Sequence, residues 1–74
     1  MEKLSGIAYR ILSKKLRDFG FVFFRQAKGS HEIWYNQDTM RYTTIPKHTG
    51  DMAEGTVRNI LKQANIDVDD FIEI

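Results

Sequence analysis

Two short segments hold the side chains able to do chemistry. Lys28-Gly29-Ser30-His31 lies between an aromatic run at Phe21-Val22-Phe23-Phe24 and another at Ile33-Trp34-Tyr35, which puts a titratable imidazole beside a cation on a glycine turn. Ile45-Pro46-Lys47-His48 sets the second histidine beside another lysine, and Arg25 stands just before the first segment. An unperturbed imidazole titrates near pH ~6.5, so it can give or take a proton at neutral pH, a role that contributes about 100- to 10,000-fold in rate. Arg25, Lys28 and Lys47 suit an anion whose charge grows in a transition state. Gly29 supplies the positive φ of a tight turn and opens backbone donors near His31 to that anion. Ser30 either donates to the anion or holds the turn. His48 could give a proton to a leaving oxygen, bind an anion or cap the short turn after Pro46, and is assigned a binding or structural role.

Other chemistries are excluded by what is missing. There is no cysteine, hence no thiolate nucleophile, disulfide or cysteine metal site. Ser30 has no carboxylate at a spacing that would build an acyl-transfer constellation. His31 and His48 are 17 positions apart with no close carboxylate–histidine spacing, so neither a metal site nor a cofactor is expected.

The 74 residues suffice for one small domain, 1–74, with little margin for its core. Hydrophobic content of 42% and nine aromatic residues (five Phe, three Tyr, one Trp) fit a folded chain. Met1 to Gly6 lacks an apolar signal core, and no run approaches the ~20 apolar residues of a membrane helix, so the expectation is a soluble, cytoplasmic protein that avoids membranes. The net charge of +1 hides a division. Residues 1–50 carry nine Lys/Arg against four Asp/Glu, and residues 51–74 carry two against six. A basic half can meet phosphate while an acidic tail stays in solvent. A pI near 8.0 is low for a dedicated nucleic-acid binder, where ~9 is usual, and argues against tight non-specific binding.

The elements that must position these residues follow from periodicity. Leu4, Ile7, Ala8, Ile11, Leu12, Leu16 and Phe19 predict a helix over 6–18, with Ser5 as N-cap, Gly20 as the glycine beyond its end, and Arg10, Lys14, Lys15 and Arg17 pointing outward. Aromatic and β-branched residues predict strands at 21–26, 31–36 and 40–45, joined as antiparallel hairpins. Alternation groups His31, Ile33 and Tyr35 on one face and Glu32, Trp34 and Asn36 on the other, and leaves open which face meets the helices. Asp51 and Glu54 have capping-box spacing, which predicts a single helical turn stopped by Gly55. A helix over 57–64 follows behind Thr56, with Val57, Ile60, Leu61 and Ala64 inward and Asn65 in a left-handed cap. Asp67 starts a last short helix with Val68, Phe71 and Ile72 inward. The order is that of an α+β fold with helices on one face of a three-stranded antiparallel sheet, leaving the other face for a ligand or partner.

Several of these residues together resemble a known family. Gly20-Phe21 after an amphipathic helix, Arg25-Gln26, Lys28-Gly29-Ser30-His31, Ile45-Pro46-Lys47-His48 and the stretch Gly55 to Ala64 are similar in order and spacing to the HicA toxins, over nearly the whole chain. Asn65 stands where a glycine is common. The resemblance implies a fold like a double-stranded-RNA-binding domain. It also implies a ribosome-independent mRNA interferase of a type II toxin–antitoxin pair, with a HicB-type antitoxin that masks the active surface, and a catalytic histidine at the position of His31. RNA brings its own nucleophile, a 2′-hydroxyl next to the phosphorus, so a cleaving protein needs only proton transfer and charge stabilisation, without a metal. In this reading Arg25, Lys28, Gly29, Ser30, Lys47 and His48 bind the RNA. A non-catalytic RNA-binding module and a protein-interaction domain are the alternatives, and weak homo-oligomerisation is left open.

Overall fold

The computed structural model describes residue 4 and residues 6–47 and 50–74. The chain runs β1 (Ile7–Ala8), α1 (Tyr9–Asp18), β2 (Phe21–Gln26), β3 (His31–Asn36), β4 (Arg41–Pro46), β5 (Asp51–Met52), α2 (Glu54–Ala64) and α3 (Val68–Glu73). The three long strands form one antiparallel sheet in the order β2–β3–β4, and β1 pairs with β5 in a separate two-stranded ribbon. This is the expected α+β architecture with one added element.

The ribbon changes both ends it touches. Ile7 pairs with Met52 and Ala8 with Asp51, and the Gly6 amide donates to the Met52 carbonyl at 3.2 Å. Extended backbone at 7–8 cannot be helical, so α1 starts at Tyr9 rather than at residue 6, behind an extended Ala8 with no side-chain cap. Ser5, expected as that cap, lies outside the described residues. The predicted turn at 51–54 is overturned for the same reason: Asp51 is strand, and Glu54 opens α2, which runs straight through Gly55 and Thr56. Glu54 meets Arg58 at 2.9 Å, an i,i+4 pair at the end of the helix that favours negative charge. Thr56 is therefore inside α2 and does not cap it.

Elsewhere local chemistry decides the joints. Gly20 follows α1 at φ +96, and a Cβ there would stand 3.1 Å from Asn36 Nδ2, so both conformation and space require glycine. Asn36 is buried and serves two elements. Its Nδ2 donates to the Phe19 carbonyl at 2.9 Å, and its Oδ1 accepts from the Asp38 and Thr39 amides. That turn ends at Met40 in the left-handed region (φ 59), so β4 begins at Arg41, one residue later than predicted, and extends to Pro46. Asn65 (φ 58) forms the expected left-handed cap of α2, and Asp67 caps α3 by accepting from the Asp69 and Asp70 amides.

The core gathers Leu12 and Leu16 of α1, Val57, Ile60, Leu61 and Ala64 of α2, and Phe71 of α3 against Phe21, Trp34 and Ile45 of the sheet, with Leu4 and Met52 beside them. The predicted stripe on α2 is wholly buried. The cationic face of α1 is partly engaged: Lys15 turns toward α3, donating to the Phe71 carbonyl at 3.0 Å, while Arg17 lies 5.0 Å from the Trp34 ring. Among the described residues no helix is long and apolar enough to cross a membrane.

Candidate active site

β3 opens with His31, and this single fact organises the site. The turn from Ala27 to Ser30 is closed by the Ala27 amide donating to the His31 carbonyl (2.8 Å) and the His31 amide to the Lys28 carbonyl (3.3 Å), with Gly29 at φ +67. Gln26 braces the turn from below, its Nε2 donating to the carbonyls of Gly29 (3.1 Å) and His31 (2.9 Å). On the other side, His31 pairs with Pro46, and the Lys47 amide donates to the Ser30 carbonyl at 2.8 Å. Two loops distant in sequence thus meet at one corner of the sheet.

The His31 ring is exposed, with Nδ1 3.2 Å from the Lys28 carbonyl oxygen. A carbonyl only accepts, so in that contact Nδ1 carries the proton, and in the neutral ring Nε2 is then the lone-pair nitrogen. Among the described residues Nε2 has no partner, and the amides of Gly29 and Ser30 donate to no acceptor. A histidine held by one nitrogen and open at the other is set up for proton transfer.

Three cations stand on the turns and strands that meet at this corner. Lys28, exposed, makes no ion pair among the described residues. Lys47 Nζ lies 5.9 Å from the centroid of the Tyr9 ring. Arg25 pairs with Ile33 beyond a bulge between Phe23 and Arg25, which brings it to the face shared by His31 and Ile33, and its Nη1 donates to the Gln26 carbonyl at 3.2 Å. The backbone therefore brings Lys28, Gly29, Ser30, His31 and Lys47 together, with the Lys47 ammonium set against Tyr9 and Arg25 one step further along the sheet. His48 lies outside the described residues.

Behind the site is a buried carboxylate. Glu32, 5% exposed, points away from His31 into the fold, where its Oε1 accepts from the Tyr9 hydroxyl at 2.6 Å and from Trp34 Nε1 at 3.0 Å. Burial, reinforced by the hydrogen bond to Glu32 and its charge and opposed by Arg17, pushes the Tyr9 phenol up to about 12. Tyr9 thus stays a donor at neutral pH, joining α1 to β3 and presenting its ring to Lys47.

One part of the site was not foreseen. A groove of about 380 Å³ opens beside His31, lined by Thr44 and Pro46 of β4 and by Thr56, Asn59, Ile60 and Gln63 of α2. Gln63 Oε1 accepts the Thr44 amide at 2.9 Å, which leaves its amide nitrogen as a donor and closes part of the open edge of β4. The sequence held a signal: Thr56, Asn59 and Gln63 recur at i, i+3 and i+7, a polar stripe flanking the apolar one. Among the described residues no group of three His, Asp or Glu could hold a metal ion.

No curated protein matches the chain. A family model described as the HicA toxin of bacterial toxin–antitoxin matches residues 9–66, from the start of α1 past the Asn65 cap, and takes in both loops of the site. With well over half of its 74 residues matched, the chain belongs to the HicA family of toxins from bacterial toxin–antitoxin systems.

Proposed function

We propose that this toxin, acting as one domain, is an endoribonuclease that cuts unpaired mRNA without a metal ion and without the ribosome. The observation that carries the reading is His31: exposed, with Nδ1 engaged by the Lys28 carbonyl and Nε2 open, Lys28 in the same turn, Lys47 next to the Pro46 that faces it, and Arg25 opposite Ile33.

In the reaction, the ribose 2′-hydroxyl loses its proton to a base and its oxygen bonds to the adjacent phosphorus. The P–O5′ bond breaks, and the leaving oxygen takes a proton from an acid. The products are a 2′,3′-cyclic phosphate and a 5′-hydroxyl, with no bond to the protein at any stage. Nε2 of His31 performs one of the two proton transfers: as neutral imidazole it accepts, as imidazolium it donates. Lys28, Lys47 and the free amides of Gly29 and Ser30 meet the phosphorane, whose extra negative charge is where prearranged donors act most strongly. Arg25 and His48 bind the RNA backbone on either side, and the Ser30 hydroxyl donates to phosphate. Thr44, Thr56, Asn59 and Gln63 supply hydroxyl and amide groups to the nucleotide that enters the groove.

A toxin of this family has an antitoxin, and a HicB-type protein covering the His31 corner would block RNA entry. Cleavage of RNA by the purified protein in EDTA tests the proposal. Wild type is expected to cut, and His31→Ala to fold normally while losing at least ~100-fold in rate. Full activity in that variant would move the chemistry to another residue. Salt-sensitive binding of intact RNA with no cleavage by wild type would make the protein a binding module instead.

A further inference from the structure

The face of the sheet turned away from the helices carries a cluster that the proton-transfer chemistry does not use. Phe24, Tyr35 and Tyr42, one from each strand, meet there. Tyr35 and Tyr42 are opposite each other in the β3–β4 register, with centroids 4.5 Å apart and planes 34° from parallel, and Phe24 stands 5.9 Å from Tyr35 and 5.6 Å from Tyr42. Phe24 and Tyr42 are each 51% exposed, so the rings brace one another without a protein lid among the described residues.

We propose that these three rings are a stacking platform for the bases of the single-stranded RNA whose phosphate lies at His31. The inference rests on the nuclease reading above. Three observations favour a nucleic acid as the occupant. The face is continuous with the site, since Tyr35 is four residues along β3 from His31, about 13 Å at ~3.3 Å per residue, with Ile33 and Thr44 between. Its charge is complementary: Arg25 lies on it, and Glu32, the single carboxylate in the three strands, points inward. Its rings are flat and rigid, and two of the three, Tyr35 and Tyr42, carry hydroxyls, that of Tyr35 donating to Met40 Sδ at 3.1 Å; such surfaces suit bases of any identity. Such a platform would favour unpaired RNA, because bases in a duplex stack on each other and have no free face to offer.

The test uses wild type, Tyr42→Ala, Phe24→Ala and Tyr42→Trp with a 2′-O-methyl RNA of about ten nucleotides, within the site size of such surfaces. The methyl group removes the nucleophile, so binding is read without cleavage. Both alanine variants are expected to bind about 5- to 100-fold more weakly, with Tyr42→Trp near wild type, and an abasic strand of equal length should bind all four alike. On cleavable RNA the loss should fall on KM rather than kcat. Unchanged affinity in the alanine variants, equal losses on the abasic strand, or an effect confined to self-association or antitoxin binding would overturn the platform while leaving the nuclease reading intact. Ring-dependent binding without any cleavage by wild type would instead remove the nuclease and keep the platform.

Discussion

The two faces of the β2–β3–β4 sheet come from the same three strands and differ in how far their side chains are used up within the fold. Facing the helices, β3 contributes Glu32, Trp34 and Asn36, all buried, and β4 contributes Thr43 and Ile45. Each buried polar side chain there is hydrogen-bonded: Glu32 to Tyr9 and Trp34, Asn36 to the end of α1 and to the next turn, and Thr43 Oγ1 to the Ile60 carbonyl at 2.9 Å. Facing out, the same two strands contribute His31, Ile33, Tyr35, Tyr42 and Thr44. There a histidine keeps one nitrogen free and the Tyr42 ring, packed on Tyr35, stays half exposed. Buried polar groups must be satisfied or the fold loses stability, whereas an exposed site works only if some groups stay unsatisfied until a ligand arrives. Alternation along one strand lets a 74-residue chain meet both demands.

That contrast can be broken by paired substitutions. Trp34→Ala should cost about 3–5 kcal/mol in urea unfolding, enough to unfold so small a domain, while Tyr35→Ala should cost about 1 kcal/mol, the part due to ring–ring contact. Equal losses would mean that the outer rings are structural. Glu32→Ala should rank next, at about 1–3 kcal/mol, because it strands the Tyr9 hydroxyl and the Trp34 Nε1–H. Glu32→Gln, which retains a carbonyl oxygen to accept, should recover part of that loss.

The smallest effect concerns alkaline pH. The Tyr9 pKa is raised in the folded state, from 10.0 to about 12, so above pH 10 the unfolded chain releases this proton before the folded one does. The stabilisation is whole below pH 10 and is lost as pH rises toward 12. Unfolding free energies measured across that window should fall more steeply for wild type than for Tyr9→Phe. Identical slopes would show that burial and the 2.6 Å contact with Glu32 do not hold the Tyr9 proton in the folded state.

What could be read in advance divides along the same line as these predictions. The strands at 21–26 and 31–36, the stripe Val57, Ile60, Leu61 and Ala64, the caps at Gly20, Asn65 and Asp67, and the turn presenting His31 all follow from spacing within a few residues. The β1–β5 ribbon does not. Two residues of strand have no period to detect, and their partners stand more than forty positions away, so Ile7 and Ala8 looked like the first turn of a helix and Asp51 like a cap. The groove was missed for a related reason, since its walls come from β4 and α2 and only their packing sets Asn59 and Gln63 beside His31.

Sequence alone therefore determined the elements, their order, and the division of each strand into two sets of side chains, because those depend on local backbone preference and on a period of two or of 3.6 residues. Tertiary structure decided which set was covered, which loops met at the His31 corner, and which aromatic rings were left open to solvent. Periodicity marks a side of an element, and only the contact of elements far apart in the chain determines what that side will face.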